Sequence, residues 1–314
     1  MTAATNAPPN VERSHGEQAP TPRKRRRLGD LKVAMFFLAP ATLGFVVFYI
    51  WPTLRGAYLS FTEYSLLEAP KFNGLDNYER MIHDSFFWNA LGVTLEYVVI
   101  NIGVQTVLAV AIAMVMYRLT RSITVRAAIL LPYLVANVVV ALVWYWMLDF
   151  QVGIVNQGLT WLGIDPIAFF GDSNWAIPTI AGINVWRHMG YTALLVFAGL
   201  QTIPSYVYEA AEVDGAGEMK TFWRITLPLL RPVLVMVLVV TMIGSFQIFD
   251  TVAVTTQGGP INSTRVIYYY IFERAFTRFD FGYASAMAMV LFAILAIVSL
   301  LQLRLLRAKE SDLA

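Results

Sequence analysis

The residues best suited to chemistry lie in a short polar stretch between two apolar segments, EAAEVDGAGEMKTFWRITLPLL at residues 209–230. This stretch contains Lys220-Thr221, and a Lys-Thr pair contacts phosphate and magnesium in a nucleotide-binding P-loop. A P-loop also needs a glycine directly before the lysine and a strand before the loop, and here Met219 precedes the lysine. The sequence therefore predicts no nucleotide site, and any ATP hydrolysis that drives this protein belongs to a partner.

Other catalytic constellations are also missing from the sequence. There is no G-x-S-x-G or H-E-x-x-H motif, and the three histidines, His15, His83 and His188, are far apart. The chain contains no cysteine, so neither disulfides nor thiolate metal sites are available. We therefore predict that the chain is not an enzyme and binds no metal or cofactor of its own.

Apolar segments make up most of the chain, since 57% of the residues are hydrophobic, 14% are charged and the mean hydropathy is +0.58. Soluble domains carry about 25% charged residues, and a helix needs about 20 apolar residues to cross a bilayer. The sequence thus predicts an all-α integral membrane protein with six transmembrane helices. The predicted spans are about 33–52, 89–117, 126–148, 178–203, 229–250 and 283–304.

The first apolar segment, VAMFFLAPATLGFVVFYIWP at 33–52, follows basic residues and so has one feature of a signal peptide. It ends in Trp51-Pro52 rather than in the small residues of a cleavage site. These features favour a first span that is retained in the mature protein.

Positive charge is concentrated on one side of the predicted spans. Lys and Arg occur in the N-terminal residues, the turn at 118–126, the loop at 204–228 and the C-terminus, whereas the loop at 149–175 has none. Because Lys and Arg accumulate in cytoplasmic segments, both termini and the 204–228 loop are predicted to be cytoplasmic. We expect the basic tail to contact anionic membrane lipid. The predicted regions are a disordered tail (1–30), a six-helix domain (31–307) and a short tail (308–314).

The polar loop is predicted to form two short helices joined by a bend. Pro204-Ser205 favours a helix start with Ser205 as N-cap, and Gly215 offers the left-handed conformation that ends a helix. The segment EMKTFWRI (218–225) is predicted to be a second helix before the next span. The carboxylate of Glu209 beside two alanines suits docking of a basic partner, but an amphipathic connector fits the composition equally well.

The spacing E-A-A-x3-G-x9-I-x-L-P in this loop resembles the cytoplasmic signature of the membrane subunits of ABC importers, and every signature position is present. Four further segments are similar to carbohydrate-uptake permeases of the maltose and glycerol-phosphate kind, so the resemblance covers roughly residues 33–307. These segments are FNGLDNYERM (72–81), NVWRHMGY (184–191), TTQGGP (255–260) and FDFGYASAMA (279–288). The signature residues are Glu209, Ala210, Ala211, Gly215, Ile225, Leu227 and Pro228.

This resemblance implies a type I ABC importer permease fold in a bacterial cytoplasmic membrane. The loop would be the coupling helix that docks into a cytoplasmic ATPase, with Glu209 facing a basic ATPase residue, Gly215 as the bend and Asp214 beside it. The implied partners are a second permease subunit, two ATPase subunits that bind ATP and magnesium, and an extracytoplasmic substrate-binding protein. A di- or oligosaccharide is the favoured substrate and a glycerol phosphate-type polyol phosphate the alternative; no nucleic acid is implied. The binding protein would dock near the outer turn Gly258, Gly259 and Pro260.

Polar side chains recur at helical spacing on one face of the fourth span: Asn184, Arg187, His188 and Tyr191. A charge at this depth needs a cavity or a partner, so the stripe predicts either substrate contact or interhelical hydrogen bonds. The resemblance favours substrate contact, although Arg187 and His188 depart from the maltose pattern. At the end of the fifth span, Ser245 and Gln247 are predicted to reach the same cavity, or Ser245 bonds to its own helix. Interhelical hydrogen bonds are predicted for Asn101, Gln105 and Asn137.

Two other classes of membrane protein remain open at this point. A secondary transporter or channel would place acidic residues within its spans, and the candidates are Glu96, near the start of the second span, and Asp149 and Asp250 at span ends. A scaffold that binds the ATPase without moving solute is the other alternative. If transport depends on ATP hydrolysis, the protein is an importer rather than a secondary transporter or channel. Counterflow of labelled sugar would exclude the scaffold.

Overall fold

The computed structural model describes residues 28–65, 68–119 and 122–305, and the chain divides by its contacts into two units, 1–53 and 54–314. Within the described residues the chain is almost entirely helical. Most of the predicted N-terminal tail and all of the C-terminal tail at 308–314 lie outside the described residues.

The first unit contains helix α1 (Leu28–Phe45), which continues into a π-helical turn (Val46–Ile50). Helix α2 (Trp51–Leu59) follows directly, and Val33–Leu59 is apolar and long enough to cross a membrane. The predicted end of this span at Pro52 is too early, because proline is tolerated in the first turn of a helix and the preceding π turn widens the backbone.

Helix α4 (Ser85–Leu119) has 35 residues and so is about 52 Å long at 1.5 Å per residue. It contains the predicted second span and exceeds the roughly 30 Å of a hydrocarbon core. Before it, a two-stranded antiparallel sheet pairs β1 (Thr62–Glu63) with β2 (Lys71–Phe72), and helix α3 (Asp76–His83) follows.

The predicted third span, 126–148, is broken into helices α5 (Ile123–Leu134) and α6 (Asn137–Met147), which meet at an angle of 88°. Pro132 lies inside the last turn of α5, where it removes a backbone N–H and weakens the turn before it. Val135 and Ala136 are extended between the two helices. Apolarity alone could not locate this break, because both halves are hydrophobic.

Helix α8 (Ser173–Leu200) is the most buried long helix and contains most of the predicted fourth span. The Oδ1 atom of Asp172 caps its first turn by accepting a hydrogen bond of 2.7 Å from the Asn174 amide. A Cβ atom at Gly190 would overlap the carbonyl of Ile129, so glycine lets the α8 backbone approach α5 closely. Helix α7 (Ile154–Trp161) lies in the preceding loop.

After α8 the described chain forms the loop at 204–228 that carries the E-A-A spacing, which we call the signature loop, and then two further long helices with a shorter helical segment between them. The elements are α9 (Ser205–Val213), α10 (Glu218–Thr221), a π turn (Phe222–Thr226), α11 (Leu227–Phe246), α12 (Asp250–Thr255), α13 (Ile267–Phe272), a π turn (Glu273–Thr277) and α14 (Phe281–Leu305).

Within the described residues, four helical segments are apolar and long enough to span a membrane, and the bent pair α5–α6 makes a fifth. Helix α8 has sufficient length but carries the polar stripe of Asn184, Arg187 and His188, which makes it less apolar than the others. The predicted total of six spans is consistent with this arrangement if α8 is counted. Two apolar cores flank the polar middle of α8, one around Tyr270 and one around Leu200.

Candidate functional site

The signature loop ends its first helix in the predicted way at Gly215. Gly215 has a φ of +70°, a conformation that costs glycine little and other residues more. The Ala216 amide donates to the Ala211 carbonyl at 2.9 Å and the Gly215 amide to that of Glu212 at 3.0 Å, which together form a Schellman motif. The predicted N-cap at Ser205 is wrong by one residue, because Ser205 is already helical and Pro204 precedes it.

Helix α9 presents an exposed acidic and apolar surface. Glu209, Ala210 and Asp214 are exposed, while Ala211 packs inward. Within the described part of the chain, neither carboxylate makes a hydrogen bond or ion pair. Val213 is 88% exposed, so an apolar group also projects from the end of the helix. Charge and apolar area together are the features of a docking surface.

The predicted second short helix of the loop is not separate from the next span. Helix α10 runs through the π turn directly into α11, so one continuous helix carries the half-buried Ile225 and Leu227 and the exposed Pro228. The prediction placed a break before Pro228, but the wider π turn accommodates a proline near the start of a helix. Arg118 at the end of α4 forms an ion pair of 2.5 Å with Glu218, which ties the loop to α4.

A polar cavity of about 230 Å³ lies among α4, α5, α8 and the end of α11. It brings together five of the six predicted pathway residues: Asn184, His188, Tyr191, Ser245 and Gln247. Further polar or aromatic residues that were predicted to have another role, or none, also line it, among them Tyr97, Asn101, Gln105, Tyr133, Asn137, Thr192 and Asp250. Pro132, directly before Tyr133, was the sequence signal that could have drawn attention to this part of the span.

Hydrogen-bonded side chains connect three helices along one wall of the cavity. Gln105 donates to Thr192 Oγ1 at 2.8 Å, and Asn101 donates to Gln105 Oε1 at 3.2 Å and to Ser245 Oγ at 2.9 Å. We call Thr192, Gln105, Asn101 and Ser245 the polar ladder. Ser245 also donates to the Thr241 carbonyl at 2.7 Å, so both of its predicted roles occur together. The predicted interhelical hydrogen bonds of Asn101 and Gln105 are confirmed, and all four ladder residues are buried.

Two further amides hold the cavity wall from the sides. Asn184 donates to the Ile180 carbonyl at 2.9 Å and to Thr251 Oγ1 at 3.1 Å, which joins α8 to α12. Asn137 donates to Asp250 Oδ2 at 2.8 Å and so joins α6 to α12. The predicted interhelical role of Asn137 is thereby confirmed.

Arg187 lies behind the cavity and is absent from its lining. Its guanidinium donates to the Val135 carbonyl at 3.0 and 3.3 Å and to the Tyr133 carbonyl at 3.2 Å. These carbonyls belong to the break between α5 and α6, where the helical hydrogen-bond pattern is interrupted. A cation suits such a helix end because the exposed carbonyls are partially negative. The geometry matches the interhelical alternative for Arg187.

His188 and two tyrosines form an aromatic corner of the cavity. Arg187 can only donate, so His188 Nε2, 2.8 Å from Arg187 Nη1, accepts, and His188 Nδ1–H donates to the Asn184 carbonyl at 2.9 Å. The rings of Tyr133 and Tyr191 stack with centroids 4.5 Å apart and an interplanar angle of 11°. Arg187, which contacts the carbonyls at the α5–α6 break, thus also positions His188. Tyr133 takes part in both groups, through its carbonyl with Arg187 and through its ring with Tyr191.

The outer turn that was predicted to dock a binding protein is more buried than expected. Gly258 is buried with a φ of +85°, and the Gly259 carbonyl accepts a hydrogen bond of 2.6 Å from Thr264 Oγ1. Pro260 is half-buried, whereas the next residue, Ile261, is 93% exposed. The predicted glycines therefore shape the turn and Ile261 forms its projecting tip.

A second polar cluster, around Asp84, was not predicted from the sequence. Asp84 Oδ2 accepts hydrogen bonds from Tyr270 Oη at 2.5 Å and Tyr283 Oη at 2.7 Å, and Arg274 lies 4.0 Å away. Burial alone would raise the pKa of Asp84, but the tyrosine hydrogen bonds and those from the Phe86 and Phe87 amides outweigh it and lower the pKa below its ordinary value. Burial and the hydrogen bond to Asp84 raise the pKa of Tyr270 to about 12. This cluster fixes the start of α4 against α13 and α14.

The family of inner membrane components of binding-protein-dependent transport systems matches residues 105–310 of this chain. The chain belongs to this family. The resemblance to ABC importer permeases is thereby confirmed, as is the prediction of a multi-pass inner-membrane transport component rather than an enzyme. Family membership also decides against the secondary transporter or channel.

Individual relatives of this permease cover nearly its whole length. A sulfoquinovosyl glycerol transport permease of Agrobacterium fabrum is 34% identical and covers 90% of this chain and 93% of its own. A trehalose/maltose permease of Thermococcus litoralis is 30% identical over 90% of this chain and 96% of its own. A glycerol-3-phosphate permease of Shigella flexneri is 30% identical and covers 87% of this chain and 93% of its own.

A solved structure supports the fold of the permease. A chain of a bacterial ABC transporter that imports the acidic polysaccharide alginate superposes with a TM-score of 0.78. The two are 22% identical, and the match covers 90% of this chain and 99% of the other. At this level of identity the similarity establishes the shared importer permease fold.

Proposed function

We propose that this permease is one of two membrane subunits of an ABC importer for a sugar, most suitably a di- or oligosaccharide. The observation that carries the proposal is the composition of the cavity lining. Its polar lining consists of amides, hydroxyls, tyrosine rings, His188 and Asp250, set beside apolar side chains such as Leu195 and Ile248. Among the described residues that line it there is no lysine or arginine. Such groups hydrogen-bond to sugar hydroxyls and stack against sugar rings, as in other pockets with a few placed polar groups.

The same lining argues against a polyol phosphate. The one carboxylate in it is Asp250, and the nearby cation Arg187 is occupied by the carbonyls of the α5–α6 break. Phosphate recognition relies on cations or convergent N–H donors, and a carboxylate repels it. We propose that Asn184, His188, Tyr191, Ser245 and Gln247 face the sugar and that Arg187 acts from behind.

The Oδ1 atom of Asn101 is a candidate acceptor for the sugar. It is buried and makes no hydrogen bond within the described part of the chain, while the Nδ2 atom of the same amide is held by the polar ladder. An unpartnered buried acceptor is costly unless a ligand or water satisfies it. A sugar hydroxyl that donates to Asn101 fulfils that need.

The signature loop provides the proposed coupling to ATP hydrolysis. Exposed Glu209 and Asp214, with Gly215 at the bend, would dock into a cytoplasmic ATPase that holds ATP and magnesium. The basic tail and this loop share the cytoplasmic side, so both termini would be cytoplasmic. Closure of the two ATPases would move the loop and expose the cavity alternately to each side. Nucleotide drives this cycle only through different affinities for the two states.

The outer face would receive an extracytoplasmic binding protein near the turn at 258–260. The projecting tip at Ile261 supplies exposed apolar area beside it. The binding protein would select the solute, because the cavity of this one subunit, about 230 Å³, offers few contacts.

The decisive experiment is stimulation of ATP hydrolysis by the reconstituted importer. The complex in liposomes would be supplied with its binding protein loaded with mono-, di- and oligosaccharides or with glycerol 3-phosphate. We expect stimulation and uptake with a neutral sugar and none with the phosphate. Uptake that continues when the ATPase cannot hydrolyse ATP would overturn the importer assignment. Stimulation by glycerol 3-phosphate alone would overturn the sugar assignment.

A further inference from the structure

Glu96 places a carboxylate on the outward side of an apolar membrane helix. It lies on α4 one residue before Tyr97, which is buried in the core, whereas Glu96 itself is exposed. Trp88, an exposed aromatic near the start of α4, is typical of a membrane interface. Eight residues separate the two, which is roughly 12 Å along the axis. Glu96 is therefore placed within the bilayer and turned away from the packed interior.

No other described side chain pairs with Glu96. The ion pairs of the described residues lie elsewhere, and none of their hydrogen bonds reaches this carboxylate. The cavity takes its lining from a different face of α4, which carries Tyr97, Asn101 and Gln105. Acidic residues in membrane helices almost always pair with another group. The partner of Glu96 must therefore come from outside the described part of this chain.

The surface around Glu96 allows another helix to approach closely. Gly92, Glu96, Val99 and Gly103 occur at i, i+4, i+7 and i+11 and are all exposed; we call them the Glu96 face. A Cβ atom added at Gly92 or Gly103 would meet nothing within 4 Å. Small residues on an exposed membrane helix permit close backbone contact with a neighbour.

We propose that the Glu96 face contacts the second permease subunit of the importer and that Glu96 binds a basic side chain of that subunit. The inference rests on the proposed function, which supplies a second membrane subunit. The ATPase and the binding protein act outside the bilayer, so only a membrane subunit reaches this depth. The negative charge of Glu96 specifies a basic partner.

Cross-linking tests the location of the Glu96 face. The chain has no cysteine, so Val99→Cys and Gly103→Cys each introduce a single thiol on the Glu96 face and leave Glu96 in place. A benzophenone maleimide can label this thiol in membranes containing the whole importer. Irradiation is expected to join both labelled variants to the second permease. Labelled protein that forms adducts with lipid only, or with no other subunit, would overturn the proposal.

Charge substitution tests the basic partner. Glu96→Asp keeps the charge and is the matched control, whereas Glu96→Gln keeps the shape and removes the charge. We expect Glu96→Gln to lower the yield of second permease that co-purifies with a tagged chain by roughly three- to fifteen-fold, the range of membrane hydrogen-bond energies. Glu96→Asp should stay within about twofold of wild type. Equal yields for Glu96→Gln and wild type would overturn the pairing.

Failure of this inference is distinguishable from failure of the proposed function. If the ATPase co-purifies with the wild-type chain and sugar uptake depends on ATP, the importer assignment stands whatever Glu96 contacts. If a suppressor of Glu96→Lys replaces a basic residue of the second permease by an acidic one, the pairing is established directly. If all suppressors of Glu96→Lys fall within this chain, the pairing is excluded.

Discussion

The cavity and the signature loop differ in where their polar side chains find partners. In the cavity, the polar ladder connects α4, α8 and α11 through hydrogen bonds of 2.8–3.2 Å within one chain. In the loop, Glu209, Glu212 and Asp214 are exposed, and no described residue pairs with them. Both regions are polar, but the polar ladder finds its partners within the chain, apart from Asn101 Oδ1, whereas these three loop carboxylates have none among the described residues.

This difference follows from what each region is proposed to bind. A small solute gains affinity when the binding groups are already fixed, because little ordering remains to be done. A protein surface that docks a large partner is completed by that partner, so its charged groups stay exposed until assembly. Substitutions in the loop should therefore affect association with the ATPase, and substitutions in the cavity should affect transport within an intact complex.

The largest effect is expected from Gly215→Pro. Proline requires a φ near −65°, whereas Gly215 has +70° and donates a hydrogen bond to Glu212, so the substitution destroys the bend of the coupling loop. We expect transport to be abolished and ATPase co-purification to fall at least about tenfold, since proline in an incompatible position costs about 3 kcal/mol or more. The amount of ATPase recovered with the tagged permease measures association, and sugar uptake measures transport.

A matched control for this change is available two residues away. Gly217 has an ordinary backbone conformation, and a Cβ atom there would meet nothing within 4 Å. Gly217→Ala should therefore assemble and transport like wild type. Normal ATPase yield and uptake in Gly215→Pro would show that the bend does not couple the two subunits.

Glu209→Lys addresses the charge of the same loop without changing its backbone. Because Glu209 is exposed and unpaired within the described chain, the reversed charge should leave membrane insertion intact and weaken ATPase binding, by about tenfold for one close ion pair. Glu212→Lys, one turn away, is the comparison for a general charge effect. Equal losses for both variants would argue against a specific role for Glu209.

Arg187→Met is expected to reduce transport by more than tenfold while ATPase binding persists. The substitution keeps an unbranched apolar stem but leaves the carbonyls of half-buried Tyr133 and exposed Val135 without the guanidinium donors, so the α5–α6 break loses its contacts to α8 through this side chain. Arg187→Lys should restore part of the activity because an ammonium can reach one carbonyl. Uptake with the ATPase yield measured in parallel checks this.

The separate effects of Arg187→Met on the maximal uptake rate and on KM show whether Arg187 acts directly on the substrate or through other residues. A residue behind the cavity should lower the maximal uptake rate and raise KM for every sugar tested, because the whole aromatic corner shifts. If instead Arg187→Met changed KM for a single sugar only, Arg187 would contact the substrate directly and the geometry-based assignment would be wrong.

Sequence patterns predicted the apolar spans and the loop well because both depend on local signals. Span length, apolarity and the φ preference of Gly215 are properties of short segments. The α5–α6 break was missed because Pro132 marks a possible kink but does not set its 88° angle. Arg187, which donates to carbonyls at the break, comes from another helix more than fifty residues away in sequence.

The cavity was predicted only in part for the same reason. Asn184, His188 and Tyr191 were placed together on one face of α8 by their helical spacing alone. Tyr133 and Tyr97 come from other helices, and an aromatic residue in an apolar span does not indicate whether it faces lipid, core or cavity. The Asp84 cluster was missed because its tyrosines lie about 190 residues downstream in sequence.

Tyr191→Ala is expected to weaken sugar transport by up to about tenfold, since an aromatic contact contributes about 0.5–1.5 kcal/mol. The ring stacks on Tyr133 and lines the cavity, so its loss removes an apolar face and loosens its neighbour. Tyr191→Phe keeps the ring and should remain close to wild type. Concentration-dependent uptake by complexes of equal ATPase content provides the measurement, and unchanged KM for all sugars would remove Tyr191 from the site.

The smallest effect is expected from Asp84→Asn, which tests whether the charge of Asp84 stabilises the cluster that it forms with Tyr270 and Tyr283. The folded-state pKa of Asp84 lies below its unfolded value, so its ionisation stabilises the fold above the unfolded pKa, about 3.9. That contribution is lost as the pH falls through the lower, folded pKa. Asp84→Asn removes it at every pH.

The purified complex should therefore melt a few degrees lower with Asp84→Asn at pH 7, because about 1 kcal/mol shifts Tm by roughly 2–4 °C in a domain of this size. The difference should shrink as the pH is lowered below about 4. Asp165→Asn, at an exposed acid in the loop before α8, is the matched control and should leave Tm unchanged. A difference between Asp84→Asn and wild type that stays constant down to pH 3 would mean that the carboxylate acts through packing rather than through its charge.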